Sequence, residues 1–161
     1  MKRWIYIFSI FIFMNCSFEK PTLFSEEALN DTFKELDGNE IIFQQILDKH
    51  EGKTILIDVW ASWCADCITG IPTVKTLQQE FPEVVFLFLS EDRTEAAWKR
   101  AIEKYKIEGE HYYMITGHDG PFGEFLNSNW IPRYMVIDKN GNIKLFKAKS
   151  AKDKRIKEAL K

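Results

Sequence analysis

With 161 residues the chain has room for one globular domain plus short extensions. Its 45% hydrophobic and 29% charged residues and formal net charge of −2 are those of an ordinary folded protein. That balance gives no support to nucleic-acid binding, and the lysine-rich end from Lys144 to Lys161, interleaved with Asp153 and Glu158, reads as a solvated strand edge and helix face.

In chain order, Lys2 and Arg3 precede an apolar run from Trp4 to Met14. The run is shorter than the roughly 20 residues that cross a bilayer as a helix, but it suits the core of a secretory signal. Residues 1–15 are therefore expected to be an export signal. Cys16 follows directly, and Phe13-Met14-Asn15-Cys16 resembles the lipid-attachment site of bacterial lipoproteins, in which the signal is cut before the cysteine and acyl chains are added there. Met14 and Asn15 are bulkier than the small residues usual at such sites, so a plainly cleaved signal or an uncleaved anchor stays open. Residues 16–39 then read as the anchor cysteine, a tether and an irregular or edge-strand lead-in, and residues 40–161 as the folded domain.

"EIIFQQILDKH" from Glu40 places Ile42, Ile46 and Leu47 on one helical face, and Gly52 ends the turn. "TILIDVW", Thr54 to Trp60, is dense in β-branched and aromatic residues and predicts a strand covered on both faces. From Cys64 to Phe81 apolar residues recur at helical spacing through Ile68, Ile71, Val74 and Leu77, with Pro72 expected to kink the helix. "VVFLFLSED" repeats the buried-strand signature, and Thr94 to Tyr105 continues as an amphipathic helix. This alternation predicts an α/β fold with parallel strands and right-handed crossovers. "HYYMI" is a short strand and "GPFGEFLNSN" a short helix or turn. Asn140-Gly141 between two apolar runs predicts a closing antiparallel hairpin, and Asp153 to Lys161 a final helix.

The chemistry centres on Cys64 and Cys67. Structural zinc wants four ligands, but no second cysteine pair exists, and His50, His111 and His118 lack the spacing of a finger. A static crosslink over so small a loop restrains little of the unfolded chain. Copper(I) favours soft thiolates, although copper-delivery proteins on a similar fold use Cys-x3-Cys. A redox couple accounts for the whole neighbourhood. The strand delivers a loop that enters a helix, where unpaired N–H groups and the helix dipole favour a thiolate. Cys64, nearest that end, is expected to attack, with Cys67 one turn inside as the resolving thiol.

"DVWASWCADC" is similar to the active-site segment of the thioredoxin superfamily, above all the envelope thiol-disulfide oxidoreductases of the TlpA/ResA type, over most of Lys53 to Lys147. Trp60, Ala61, Trp63, Cys64 and Cys67 match residue for residue, and Pro72 matches the family's helix proline. The resemblance implies a thioredoxin-like fold, a central mixed sheet flanked by helices, and no cofactor. It also implies that Asp58 is the buried acid that helps deprotonate Cys67. Alone, a carboxylate in an apolar strand is costly unless put to use, and a solvent-facing Asp58 at a strand edge is the alternative. Ile131-Pro132 matches the family's cis proline beside the disulfide, with Ile131 pairing its backbone with substrate; a proline that only introduces the next strand is the alternative. Trp60, Trp63 and Trp130 are candidates for an apolar rim that recognises substrate, or for core packing.

Ala65-Asp66 separates the cysteines. A carboxylate near Cys64 opposes its thiolate, which predicts a reductant nearer the roughly −270 mV of thioredoxin than the about −120 mV of the most oxidising relative. The implied partners are disulfide-bonded envelope proteins, cytochrome c apoproteins among them, and a membrane thiol-electron donor. The implied site of action is the periplasmic side of a bacterial envelope, with membrane anchoring through Cys16. A thioredoxin-like module that holds a partner protein or copper(I) without turnover is the alternative. A peroxidase is disfavoured, because the positions it requires as Pro and Thr are Ile57 and Ala61.

Overall fold

A computed structural model of the chain describes residues 20–127 and 130–161. The signal segment and Cys16 lie outside the described residues. The elements in order are α1 (Glu26–Leu29), β1 (Thr32–Lys34), β2 (Glu40–Ile42), α2 (Phe43–Asp48), β3 (Ile55–Trp60), α3 (Ala65–Glu80), β4 (Val85–Ser90) and α4 (Glu95–Tyr105). They continue with β5 (Glu110–Met114), α5 (Pro121–Leu126), β6 (Arg133–Ile137), β7 (Ile143–Ala148) and α6 (Lys154–Leu160).

The strands form one sheet in the order β2-β1-β5-β4-β3-β6-β7. β3, β4 and β5 run parallel, while β6, β7, β1 and β2 join antiparallel, so the sheet is mixed. All six residues of β3 are buried because helices cover both faces. The two-residue period of the strand divides them. Leu56 and Trp60 face the layer of α3, α4 and α6, with Val74, Trp98 and Ile156. Ile55, Ile57 and Val59 face the layer of α1, α2 and α5, with Ala28, Ile46 and Phe122.

The β6–β7 hairpin forms where Asn140-Gly141 predicts it. Gly141 has φ 82°, and the Asp138 carboxylate accepts the N–H groups of Asn140 and Asn142, both at 2.9 Å. The helix expected from Glu40 begins later, at Phe43. Glu40–Ile42 instead pairs with Thr32–Lys34, because Ile41 alternates into the core, and the buried positions are Ile41, Phe43 and Ile46. The lead-in is ordered as well: it supplies α1 and β1, and Thr22 C=O accepts the N–H of Ile143 at 2.8 Å. α3 runs unbroken through Pro72.

One face of the sheet carries an aromatic cluster. Phe43 and Phe122 rings lie 4.6 Å apart, with Phe24 and Phe33 packed against both. Phe122 is fully buried, so Phe122→Ala is expected to cost about 3–5 kcal/mol, read as a lower urea midpoint of unfolding.

Candidate active site

The strand-to-helix junction after β3 holds the cysteines. Cys64 is the N-cap of α3, with extended backbone at φ −85° and ψ 103°, and its Sγ accepts the backbone N–H of Cys67 at 3.1 Å. That N–H is one of the orphan donors of a helix start. Cys64 and Cys67 are joined by a disulfide with 5.2 Å between their Cα atoms, and only 6% and 3% of their surfaces are exposed.

The loop before Cys64 is held from the neighbouring strand. β3 and β4 are parallel in register, Trp60 opposite Ser90, so their C-terminal ends lie side by side. Asp92, just past β4, accepts the Ser62 N–H at 3.1 Å on each oxygen and the Ser62 hydroxyl at 2.5 Å. The Ser90 hydroxyl donates to it at 2.9 Å. This buried carboxylate thus fixes the residue two before Cys64. The sequence reading missed Asp92, Ser90 and Ser62; the available signal was an acid placed two residues beyond a buried strand.

Asp58 is buried inside the sheet, not solvent-facing at an edge, with its side chain on the face that α3 covers. Burial pushes its carboxyl up to about 8, and the Tyr134 hydroxyl offsets this only in part. Tyr134 stands directly opposite Asp58 across the β3–β6 ladder. The Asp58 Oδ1 and Tyr134 Oη atoms face this buried space without a hydrogen bond of ordinary geometry.

β6 brings Pro132 to the same end of the sheet. Arg133 pairs with Val59, so Pro132 sits beside the end of β3 that feeds the cysteine loop. The Ile131-Pro132 bond is cis, and Ile131 packs against both core layers. Trp63 and Trp130 are exposed at 57% and 60%, and Lys149 Nζ lies 5.3 Å from the Trp130 ring centre. Trp60 belongs to the core instead, at 2% exposure, because strand alternation puts it on the face of Leu56. Asp66 lies exposed in the first turn of α3. Among the described residues no group of three or more His, Cys, Asp or Glu is placed to hold a metal ion.

Residues 52–143 match the family described as thioredoxin-like. Thioredoxin H-type of Fagopyrum esculentum is 37% identical over 67 residues, 42% of this chain and 54% of that one, so the match spans about half of that relative. Thiol-disulfide oxidoreductase ResA of Bacillus thuringiensis subsp. konkukian is 25% identical over 130 residues, 78% of this chain and 69% of that protein. A crystal structure of a thiol-disulfide oxidoreductase candidate from Bacteroides vulgatus superposes with a TM-score of 0.67 at 28% identity, covering 86% of this chain and 95% of that one.

The buried Asp58 gives a signed pH prediction. Its folded pKa, about 8, lies above the ordinary 3.8, so the folded protein keeps a proton that the unfolded chain releases. The resulting stability is full below the unfolded value and is lost as pH rises towards the folded one. Asp58→Asn is therefore expected to raise the melting temperature of the oxidised protein at mildly alkaline pH. The gain is on the order of a few kcal/mol and shrinks towards zero in acid. Thermal unfolding of both proteins across this range measures it.

Proposed function

Because the chain belongs to the thioredoxin-like family, we propose that it is a thiol-disulfide oxidoreductase that reduces disulfides of envelope proteins through Cys64 and Cys67. The observation that carries this reading is the Cys67 N–H directed at Cys64 Sγ from the first turn of α3. The same donor and the helix dipole stabilise a thiolate there once the pair is reduced.

In the first step the Cys64 thiolate attacks one sulfur of the substrate disulfide. A mixed disulfide forms, and the second substrate sulfur leaves as a thiolate that takes a proton from solvent. In the second step the Asp58 carboxylate removes the Cys67 proton and Cys67 attacks Cys64 Sγ. The remaining substrate sulfur departs, and two electrons have passed to the substrate. A carboxylate near pKa 8 serves as that base because its proton affinity approaches that of a thiol, whose ordinary pKa is about 8.5. Trp63, Ile131 and Pro132 form the substrate-binding edge, with Ile131 offering its backbone to the incoming chain. Trp130 joins Trp63 in the exposed rim.

Export is supported by Lys2, Arg3 and the apolar run to Met14, and lipid attachment by the position of Cys16. The protein then works on the periplasmic side of the envelope as a membrane-anchored lipoprotein. Cytochrome c apoproteins are one class of substrate, and a membrane thiol donor restores the dithiol.

Reduction of insulin by the dithiol form is the test, with Cys64→Ala expected to abolish turnover and Cys67→Ala to accumulate the mixed disulfide. A partner-holding or copper-holding module would show no turnover in the unmodified chain. Redox titration of the couple is expected to give a potential below about −180 mV, the level of an isomerase; a higher value reverses the direction.

A further inference from the structure

We infer that Tyr134 is a positioning residue whose hydroxyl acts as the hydrogen-bond donor holding Asp58 in its ionised, proton-accepting form. This rests on the assignment of Asp58 as the base for Cys67.

Tyr134 is fully buried, and its hydroxyl has no partner of ordinary geometry among the described residues. A phenol placed so deep normally finds an acceptor, since a buried unpaired hydroxyl is costly and a phenylalanine would fill the space without that cost. The acceptor at hand is Asp58, its direct cross-strand partner on the same face, whose Oδ1 also lacks a partner. A further titratable group faces this layer, His111 of β5, which stacks on Phe88 with 5.1 Å between ring centres, pairs its Nε2 with the Ile107 C=O at 2.9 Å and has its pKa lowered by burial, so that it is neutral where Asp58 titrates. β3 contributes Leu56 and Trp60, α3 contributes Cys67, Ile71 and Val74, β4 contributes Phe86 and Phe88, and α6 contributes Ile156 and Leu160. Tyr134 itself remains a neutral donor, because burial and the adjacent Asp58 both push its ionisation upward.

Gly70, one turn beyond Cys67, leaves room for this hydroxyl. A Cβ at that position would stand 2.9 Å from Tyr134 Oη. The active-site helix is therefore notched where the phenol passes, and any side chain there displaces the hydroxyl. In this apolar layer a donor to a carboxylate counts for more than it would in water. With Tyr134 present the carboxylate is ionised at lower pH, and Cys67 loses its proton at lower pH in turn.

The test follows the reduced protein reacting with excess dithiobis-nitrobenzoate in a stopped-flow instrument, at pH values either side of about 8. Attack by Cys64 releases the first thionitrobenzoate, and attack by Cys67 on the mixed disulfide releases the second. Tyr134→Phe is expected to move the midpoint of the second phase up by about one pH unit, the loss of one charge-assisted hydrogen bond. Gly70→Ala should move it in the same direction, and should add nothing in the Tyr134→Phe background. An unchanged midpoint in Tyr134→Phe, with Asp58→Asn removing the pH-dependent limb, overturns the inference and leaves Asp58 as the base. If Asp58→Asn keeps that limb, the assignment of Asp58 falls, and this inference with it.

Discussion

The contact between the Cys67 N–H and Cys64 Sγ is the constraint on which the rest depends, because it joins the start of a helix to the atom that reacts. Its geometry requires β3, an inner strand, to end level with its parallel neighbour and α3 to begin within a few residues, with the loop between them held still. Parallel pairing of β3 with β4 meets the last requirement by bringing Asp92 beneath Ser62. The fold and the site are thus two descriptions of one register. A slip of one residue between these strands would turn side chains to the opposite face and withdraw the anchor from the loop.

Asp58 works against the core that encloses it. A carboxylate surrounded by Leu56, Trp60 and Phe88 lowers stability at every pH where it is charged, and no cation among the described residues offsets it. Such local conflict between packing and chemistry is expected at working sites. The opposite face holds a conflict of its own in Arg133, fully buried with its Nε unpartnered while Nη1 donates to the Leu126 C=O at 2.9 Å, but the phenylalanines there meet ring against ring and carry the burden of cohesion.

Much of this was legible from the residues. The apolar density of Ile55 to Trp60 gave a strand covered on both sides, the spacing after Cys64 gave the helix, and Asn140-Gly141 gave the hairpin. These signals are local, each contained within a few turns or strand positions. What escaped was non-local. Ser62 and Asp92 are 30 positions apart and meet only through parallel pairing. Glu40 to Ile42 is too short to show a strand period of its own and blends into the helical pattern that follows; only pairing with β1 makes it a strand. Trp60 suits rim or core by residue type alone, and alternation from Leu56 puts it in the core. Tyr134 carries no local signal, since a tyrosine in an apolar strand is ordinary until its cross-strand neighbour is known.

The hydrogen bond from Ile143 to Thr22 ties the lead-in to the outer strand β7. Ile143 lies opposite Ile137, at the far end of β6 from Pro132, so the incoming chain is stitched to the floor of the sheet. β3 rises from that floor to the cysteines over six residues, a height of about 20 Å. With Thr22 laid against it, the outer strand β7 offers less free backbone at that end for another chain to pair with.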